Sequence, residues 1–199
     1  MPPLKKIVAV GPESTGKSTL SAHLANHYET LWCPEFARNY LIANNNTYTY
    51  DTLLTIAKGQ LILEDECTAA IMHEQSSKSI IQSSNYSPLT THHTPFLFID
   101  TDMYVMKVWC EFAFGKCHRF ILDEIAKRKY DLYLLCNIDL PWTYDPLREY
   151  PDEEPRKELY SIYKNILTNQ QTPWVEISGT DEVRLQCGID AVEKYCGNQ

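Results

Sequence analysis

No run of about twenty apolar residues occurs in this chain of 199 residues, which removes a membrane-spanning helix from the reading. The opening Met1 to Lys6 leads into an apolar stretch that stops at Gly11, shorter than the hydrophobic region of a secretory leader. Positive charge is in deficit: 18 Lys and Arg stand against 26 Asp and Glu, for a formal net charge of -8. A protein that grips a nucleic-acid backbone needs the opposite balance. The seven cysteines, at 33, 67, 110, 117, 136, 187 and 196, are odd in number and contain no CxxC pair. They read as reduced thiols in a cytosol, most of them small buried hydrophobes.

Metal-binding patterns are lacking too. His92 and His93 are adjacent in a polar stretch without spaced Cys or His partners, and His23 and His27, one helical turn apart, lack the glutamate of an HExxH zinc site. There is no internal repeat and no inter-domain linker, so residues 1–199 are expected to form a single cytoplasmic domain that acts on a small molecule, with no nucleic-acid or membrane partner. Nothing in the sequence sets an oligomeric state.

What is present is an alternation of short apolar runs and helical patterns. Runs at Lys5 to Val10, Leu31 to Cys33, Phe96 to Ile99, Asp131 to Cys136 and Trp174 to Ser178 read as strands. Ser18 to Tyr28 and Tyr50 to Ile71 carry a helical rhythm. Strands separated by helices predict an α/β fold, a parallel sheet covered on both faces. Ser76 to Thr94, rich in Ser, Thr and Asn, reads as a mobile loop.

The decisive motif is GPESTGKS at Gly11 to Ser18, a GxxxxGKS phosphate loop placed directly after a strand and opening a helix. Its glycines let successive backbone N–H groups wrap a phosphate, and the helix N-terminus adds partial positive charge. Gly11, Pro12, Glu13, Ser14, Thr15, Gly16, Lys17, Ser18 and Thr19 are therefore the candidate nucleotide-binding residues. Lys17 would reach the β and γ oxygens of ATP, and Ser18 would hold the accompanying Mg²⁺.

FIDTD at Phe98 to Asp102 ends an apolar strand in two carboxylates. Asp100 is the candidate for the magnesium shell. Two readings of Asp102 stay open: it points at the acceptor hydroxyl, or it caps the helix starting near Met103. After the second strand, Glu35 in PEFARNY stands where open α/β sheets bind ligands, at a strand's carboxyl end. It can accept a proton from a substrate hydroxyl or hold ribose hydroxyls, with Arg38 balancing its charge. The plainer alternative is an exposed ion pair. The stretch from about 140 to 158, with its prolines and mixed charge, reads as a solvent-facing lid whose Arg148 and Arg156 swing onto phosphates, or else as a solvated charge run.

A phosphate loop alone does not choose an activity. The strand-end Asp is followed by Thr101, Asp102 and Met103 rather than a DxxG switch, and CNIDLPW stands where NKxD would read guanine. An oligomeric AAA motor would need a longer module, with a helical lid domain that 199 residues leave little room for. A compact kinase fits the length.

GPESTGKST, PEFARNYL, GQLILEDE, FIDTDMYVMKVWCEFAFGKCH, YDLYLLCNIDLPWTYDPLREYPD and ELYSIYKNIL together resemble the ribosylnicotinamide kinase domain of NadR-type proteins, over about Ile7 to Ile189. The resemblance implies a P-loop NTPase kinase fold with a five-stranded parallel sheet in 2-3-1-4-5 order, a mobile lid, and ATP-dependent phosphorylation of nicotinamide riboside to nicotinamide mononucleotide. For such a reaction the residues offer Lys17 and Arg148 to the phosphoryl charge, Asp100 or Glu35 to accept the hydroxyl proton, and Glu35, Arg38 and Asp102 as acceptor contacts. Some members place a tryptophan before the residue matching Glu35, where this chain has Pro34. The aromatic partner for a pyridine ring is then expected among Trp32, Tyr40, Tyr104 and Trp109. The alternatives are a kinase for another nucleoside or nucleotide, and a regulatory protein switched by ATP binding.

Overall fold

The computed structural model describes residues 3–82 and 94–197. Five parallel strands, β1 (Lys5–Val10), β2 (Trp32–Cys33), β3 (Phe96–Asp100), β4 (Leu132–Cys136) and β5 (Trp174–Ile177), pair in the order β2-β3-β1-β4-β5. Among the described residues the helices are α1 (Lys17–His27), α2 (Phe36–Ala43), α3 (Tyr50–Gln82), α4 (Met103–Phe114), α5 (Arg119–Lys127), α6 (Glu153–Thr168) and α7 (Asp181–Cys196).

The strands are apolar on both faces because both faces are covered. In β1, Ile7 and Ala9 pack with Leu20 and Leu24 of α1 and Val192 of α7, whereas Val8 and Val10 pack with Val105 and Val108 of α4 and Leu159 and Tyr163 of α6. This follows from the two-residue period of a strand, and each large side chain so buried contributes roughly 1.5–3 kcal/mol. A third cluster joins α2, α3, α4 and α5 beside the sheet through Leu41, Leu53, Ile56, Met106 and Ile121. The connection leaving β1 runs to β2 on one side and that leaving its neighbour β3 runs to β4 on the other, which opens a crevice at their carboxyl ends.

Three boundaries differ from the sequence reading. Helix α3 continues to Gln82 and accommodates Ser76 and Ser77, whose hydroxyls donate to the carbonyls of Met72 and His73 four residues back. The expected loop over Ser76 to Thr94 therefore begins as helix, while its residues 83–93, with His92 and His93, lie outside the described residues. Strand β2 has only two paired residues, since Pro34 follows it and has no N–H to donate. The expected lid loses its last six residues to α6. Asp152, Glu153 and Glu154 favour a helix N-terminus electrostatically, and Pro155 falls in the first turn, where no N–H is required. Arg156 is consequently not solvent-facing: it is 5% exposed and donates Nη2 to the carbonyl of Leu140 at 3.2 Å. Among the described residues no helix is long and apolar enough to cross a membrane, and all seven cysteines are free thiols.

Candidate active site

Residues Gly11 to Ser18 form the turn between β1 and α1. Gly11 has φ +140, and a Cβ there would lie 2.8 Å from the carbonyl oxygen of Cys136, so both backbone angle and space require glycine. Gly16, at φ +75, is the N-cap of α1. The carbonyl of Pro12 accepts from Thr15 Oγ1 at 2.8 Å and from Lys17 Nζ at 2.7 Å, which curls the loop around its own centre.

The loop is braced from below by Arg184 of α7, a residue the sequence reading did not single out. It is 4% exposed. Its Nη2 donates to the carbonyls of Thr15 (3.0 Å) and Asn137 (2.8 Å), and its Nη1 to Asp139 Oδ1 (2.9 Å) and the carbonyl of Gly179 (2.6 Å). One guanidinium thus ties the phosphate loop to the segments after β4 and β5. Replacing it with Met leaves the buried carbonyl of Thr15 and the half-buried carbonyls of Asn137 and Gly179 without this donor, and Arg184→Met is expected to cost about 3 kcal/mol of unfolding free energy in a urea titration.

Asp100 ends β3 in register with Ala9 of β1. It is 1% exposed, and neither carboxylate oxygen has a well-formed hydrogen bond among the described residues. Burial raises its pKa, while the charge of Lys17 and the hydroxyl of Ser18 draw it back. A buried, unpaired carboxylate beside a hydroxyl is a pair of hard oxygen donors, the chemistry a magnesium shell takes. Ser18 and Asp100 fit that ion.

A cavity of about 400 Å³ runs from the phosphate loop to a wall built by α2, α4 and the segment before α6, a size typical of small-molecule sites. All nine candidate loop residues line it, as do Glu35, Arg38, Trp109 and Arg148. Asp100 lies just behind. Glu35 occupies the N-cap position of α2 without capping it. Gln60 of α3 does that work, its Oε1 accepting from Phe36 N at 2.7 Å and its Nε2 donating to the carbonyl of Pro34 at 3.2 Å, so the Glu35 carboxylate is left for the cavity. Burial and then the charge of Asp100 raise its pKa, against the pull of Lys17 and Arg38. Arg38 influences Glu35 but pairs with Asp145, Nη2 to Oδ2 at 3.0 Å, and so links α2 to the segment before α6.

The aromatic wall was only partly foreseen. Of the four aromatic candidates only Trp109 lines the cavity, with Tyr48 edge-on against it at 4.9 Å between centroids. Phe112 and Tyr150 meet edge-to-face at 5.4 Å on the same wall. Asp102 and Tyr104 face elsewhere, into a second cavity of about 280 Å³. Asp102 Oδ1 caps α4 by accepting from Tyr104 N (3.0 Å) and Val105 N (3.2 Å), and Oδ2 accepts from the Tyr133 hydroxyl at 2.8 Å. Burial pushes its carboxyl up to about 6. With both oxygens so engaged, the capping reading of Asp102 replaces the acceptor reading.

A family model described as an AAA domain matches residues 6–184. The chain belongs to the AAA domain family. Membership carries the phosphate-loop core and not, by itself, the oligomeric motor set aside on length. The chain is 23% identical, over 208 aligned positions, to the trifunctional NAD biosynthesis/regulator protein NadR of Escherichia coli (strain K12) and to that of Salmonella typhimurium (strain LT2). Each match covers 98% of this chain and 44% of the relative, so the chain spans less than half the length of these curated relatives. Among solved structures, NadR in complex with NAD and AMP-PNP superposes with a TM-score of 0.70 and NadR in complex with NR with 0.67, both at 23% identity, covering 98% of this chain and 50% of theirs. Thymidylate kinase from Ehrlichia chaffeensis matches at TM-score 0.58 and 14% identity, over 96% of this chain and 99% of its own. The fold is that of the P-loop kinases, with the sheet order the resemblance implied.

Proposed function

We propose that this chain is an ATP-dependent kinase that phosphorylates the 5′ hydroxyl of nicotinamide riboside, giving nicotinamide mononucleotide. The observation that carries the reading is the single cavity in which a phosphate loop, a free carboxylate at Glu35 and an aromatic wall around Trp109 meet. The NadR relatives, one of them solved with NR, support the choice of acceptor. A pyridinium ring is a flat cation, and the Trp109 ring offers it a π surface.

In this reading the loop N–H groups and Lys17 hold the β- and γ-phosphates, while Ser18 and Asp100 would hold magnesium, which when bound neutralises charge on the phosphate oxygens. Glu35 accepts the proton of the attacking hydroxyl, and Arg148 meets the transferring phosphoryl group from above. Little covalent chemistry is left to the protein; positioning and charge do the rest.

The test is a panel of acceptors with Mg-ATP: nicotinamide riboside, thymidine, other nucleosides and nucleoside monophosphates. Mononucleotide and ADP formed in equal amounts from nicotinamide riboside are expected. Phosphorylation of another acceptor with none of the riboside would reassign the substrate, and ATP-dependent capture of a protein without any acceptor effect would favour the regulatory alternative. Glu35→Gln is expected to lower kcat by about 10²- to 10⁴-fold. In the wild type the rate should fall as pH drops through the raised pKa of this carboxyl, and the variant should lack that limb. A raised KM for the acceptor with unchanged kcat would instead assign Glu35 to holding ribose hydroxyls.

A further inference from the structure

Two consecutive residues of the phosphate loop spend their side chains on the segment before α6. Glu13 Oε2 accepts from the backbone N–H of Glu149 at 2.9 Å, and Oε1 accepts from that of Tyr150 at 2.6 Å and from Trp142 Nε1 at 3.5 Å. Ser14 Oγ accepts from Thr143 N at 3.1 Å and donates to the carbonyl of Pro141 at 3.4 Å. Both ends of the stretch 141–150 are therefore fastened to the loop.

Arg148 sits inside that stretch. Its backbone N–H donates to the carbonyl of Asp145 at 3.0 Å, and its Nη1 donates to the carbonyl of Thr143. The residue after it is held by Glu13 and the carbonyl under its guanidinium belongs to the residue held by Ser14. Two amides on one carboxylate are charge-assisted bonds, stronger than neutral ones. Arg38 to Asp145 and the Tyr48 hydroxyl to Glu149 Oε2 (2.9 Å) tie the same stretch to the acceptor side. Arg148 and the loop line one cavity.

From this geometry we infer that Glu13 is a positioning residue for Arg148: the phosphate loop itself sets where the arginine stands over the terminal phosphate of a bound triphosphate. The inference rests on the kinase reading for its phosphate geometry but not on the identity of the acceptor. A substrate-holding role for Glu13 would involve the acceptor directly; the positioning role acts through Arg148 alone and gives a coupled rather than an additive effect.

The test uses the full chain with magnesium and two probes, AMP-PNP and ADP, titrated against wild type, Glu13→Ala, Arg148→Ala and the double variant. Arg148→Ala is expected to reduce the preference for triphosphate over diphosphate by about tenfold or more, the loss of one charge-assisted contact. Glu13→Ala should reduce it by a comparable factor, and the double variant no further. Hydrogen exchange at the Glu149 and Tyr150 amides should be faster in Glu13→Ala, a readout indifferent to catalysis. Multiplying losses in the double variant, an unchanged preference in either single variant, or unchanged exchange at both amides would each overturn the inference. The acceptor panel stands or falls separately, since no acceptor enters these titrations.

Discussion

Lys17→Ala is expected to abolish measurable phosphoryl transfer while leaving the melting temperature of the nucleotide-free protein within a few degrees of wild type. The separation follows from what the ammonium touches. Its only hydrogen bond among the described residues is to the carbonyl of Pro12, and that carbonyl also accepts from Thr15 Oγ1, so no buried acceptor is orphaned when the lysine goes. Its charge, by contrast, stands where negative charge on a triphosphate collects. Removing one donor aimed at developing charge costs on the order of 10²- to 10³-fold in kcat, and a full cation in a crevice costs at least that. Steady-state ADP release alongside a thermal melt checks the pair of outcomes. Turnover near wild type would remove the phosphate-loop reading, and a large drop in melting temperature would make Lys17 a structural residue.

Asp100→Asn should move activity and stability in opposite directions. The carboxylate is buried and without a well-formed partner, and its pKa is raised by that burial. The ionised carboxylate carries a desolvation cost in the folded protein that the neutral amide avoids. Melting temperature without nucleotide is expected to rise. Activity is expected to fall by on the order of 10²-fold or more in kcat and kcat/KM together, because an amide is a weaker ligand for a hard cation and the interaction counts most in the transition state. Titrating magnesium at saturating ATP should show a weakened metal dependence in the variant. A variant both less stable and fully active would make Asp100 an ordinary packing residue; the opposed signs mark a functional site held at a cost to stability.

Much of this was legible because it is local. A GxxxxGKS turn needs only the backbone freedom of Gly11 and Gly16 and a helix behind it, all within eight residues. The strands were legible because a sheet covered on both faces requires apolar residues along its strands, a condition β4 meets in full and β3 meets up to its terminal Asp100. Their ends then place Glu35 and Asp100 at the carboxyl edge. The start of α6 is local too, Asp152 at the N-cap with Glu153, Glu154 and Pro155 in the first turn, yet the mixed charge and prolines of this stretch read equally as a lid.

What the sequence by itself determined is the five strands, α1 and most of α3, the parallel order by family resemblance, and the strand-end carboxylates Glu35 and Asp100. What only the tertiary structure decided is where side chains turn once a strand has ended. Asp102 is two residues beyond Asp100, yet the hydroxyl of Tyr133, 31 positions away, and the first amides of α4 claim it. Glu35 is free for the cavity because Gln60 caps α2 in its place. Arg184 reaches the phosphate loop across 169 positions, and Glu13 reaches the segment before α6 across 136 and 137. Such contacts leave no periodicity in the chain: each depends on which polar groups the packed core has already brought within hydrogen-bond distance of one another.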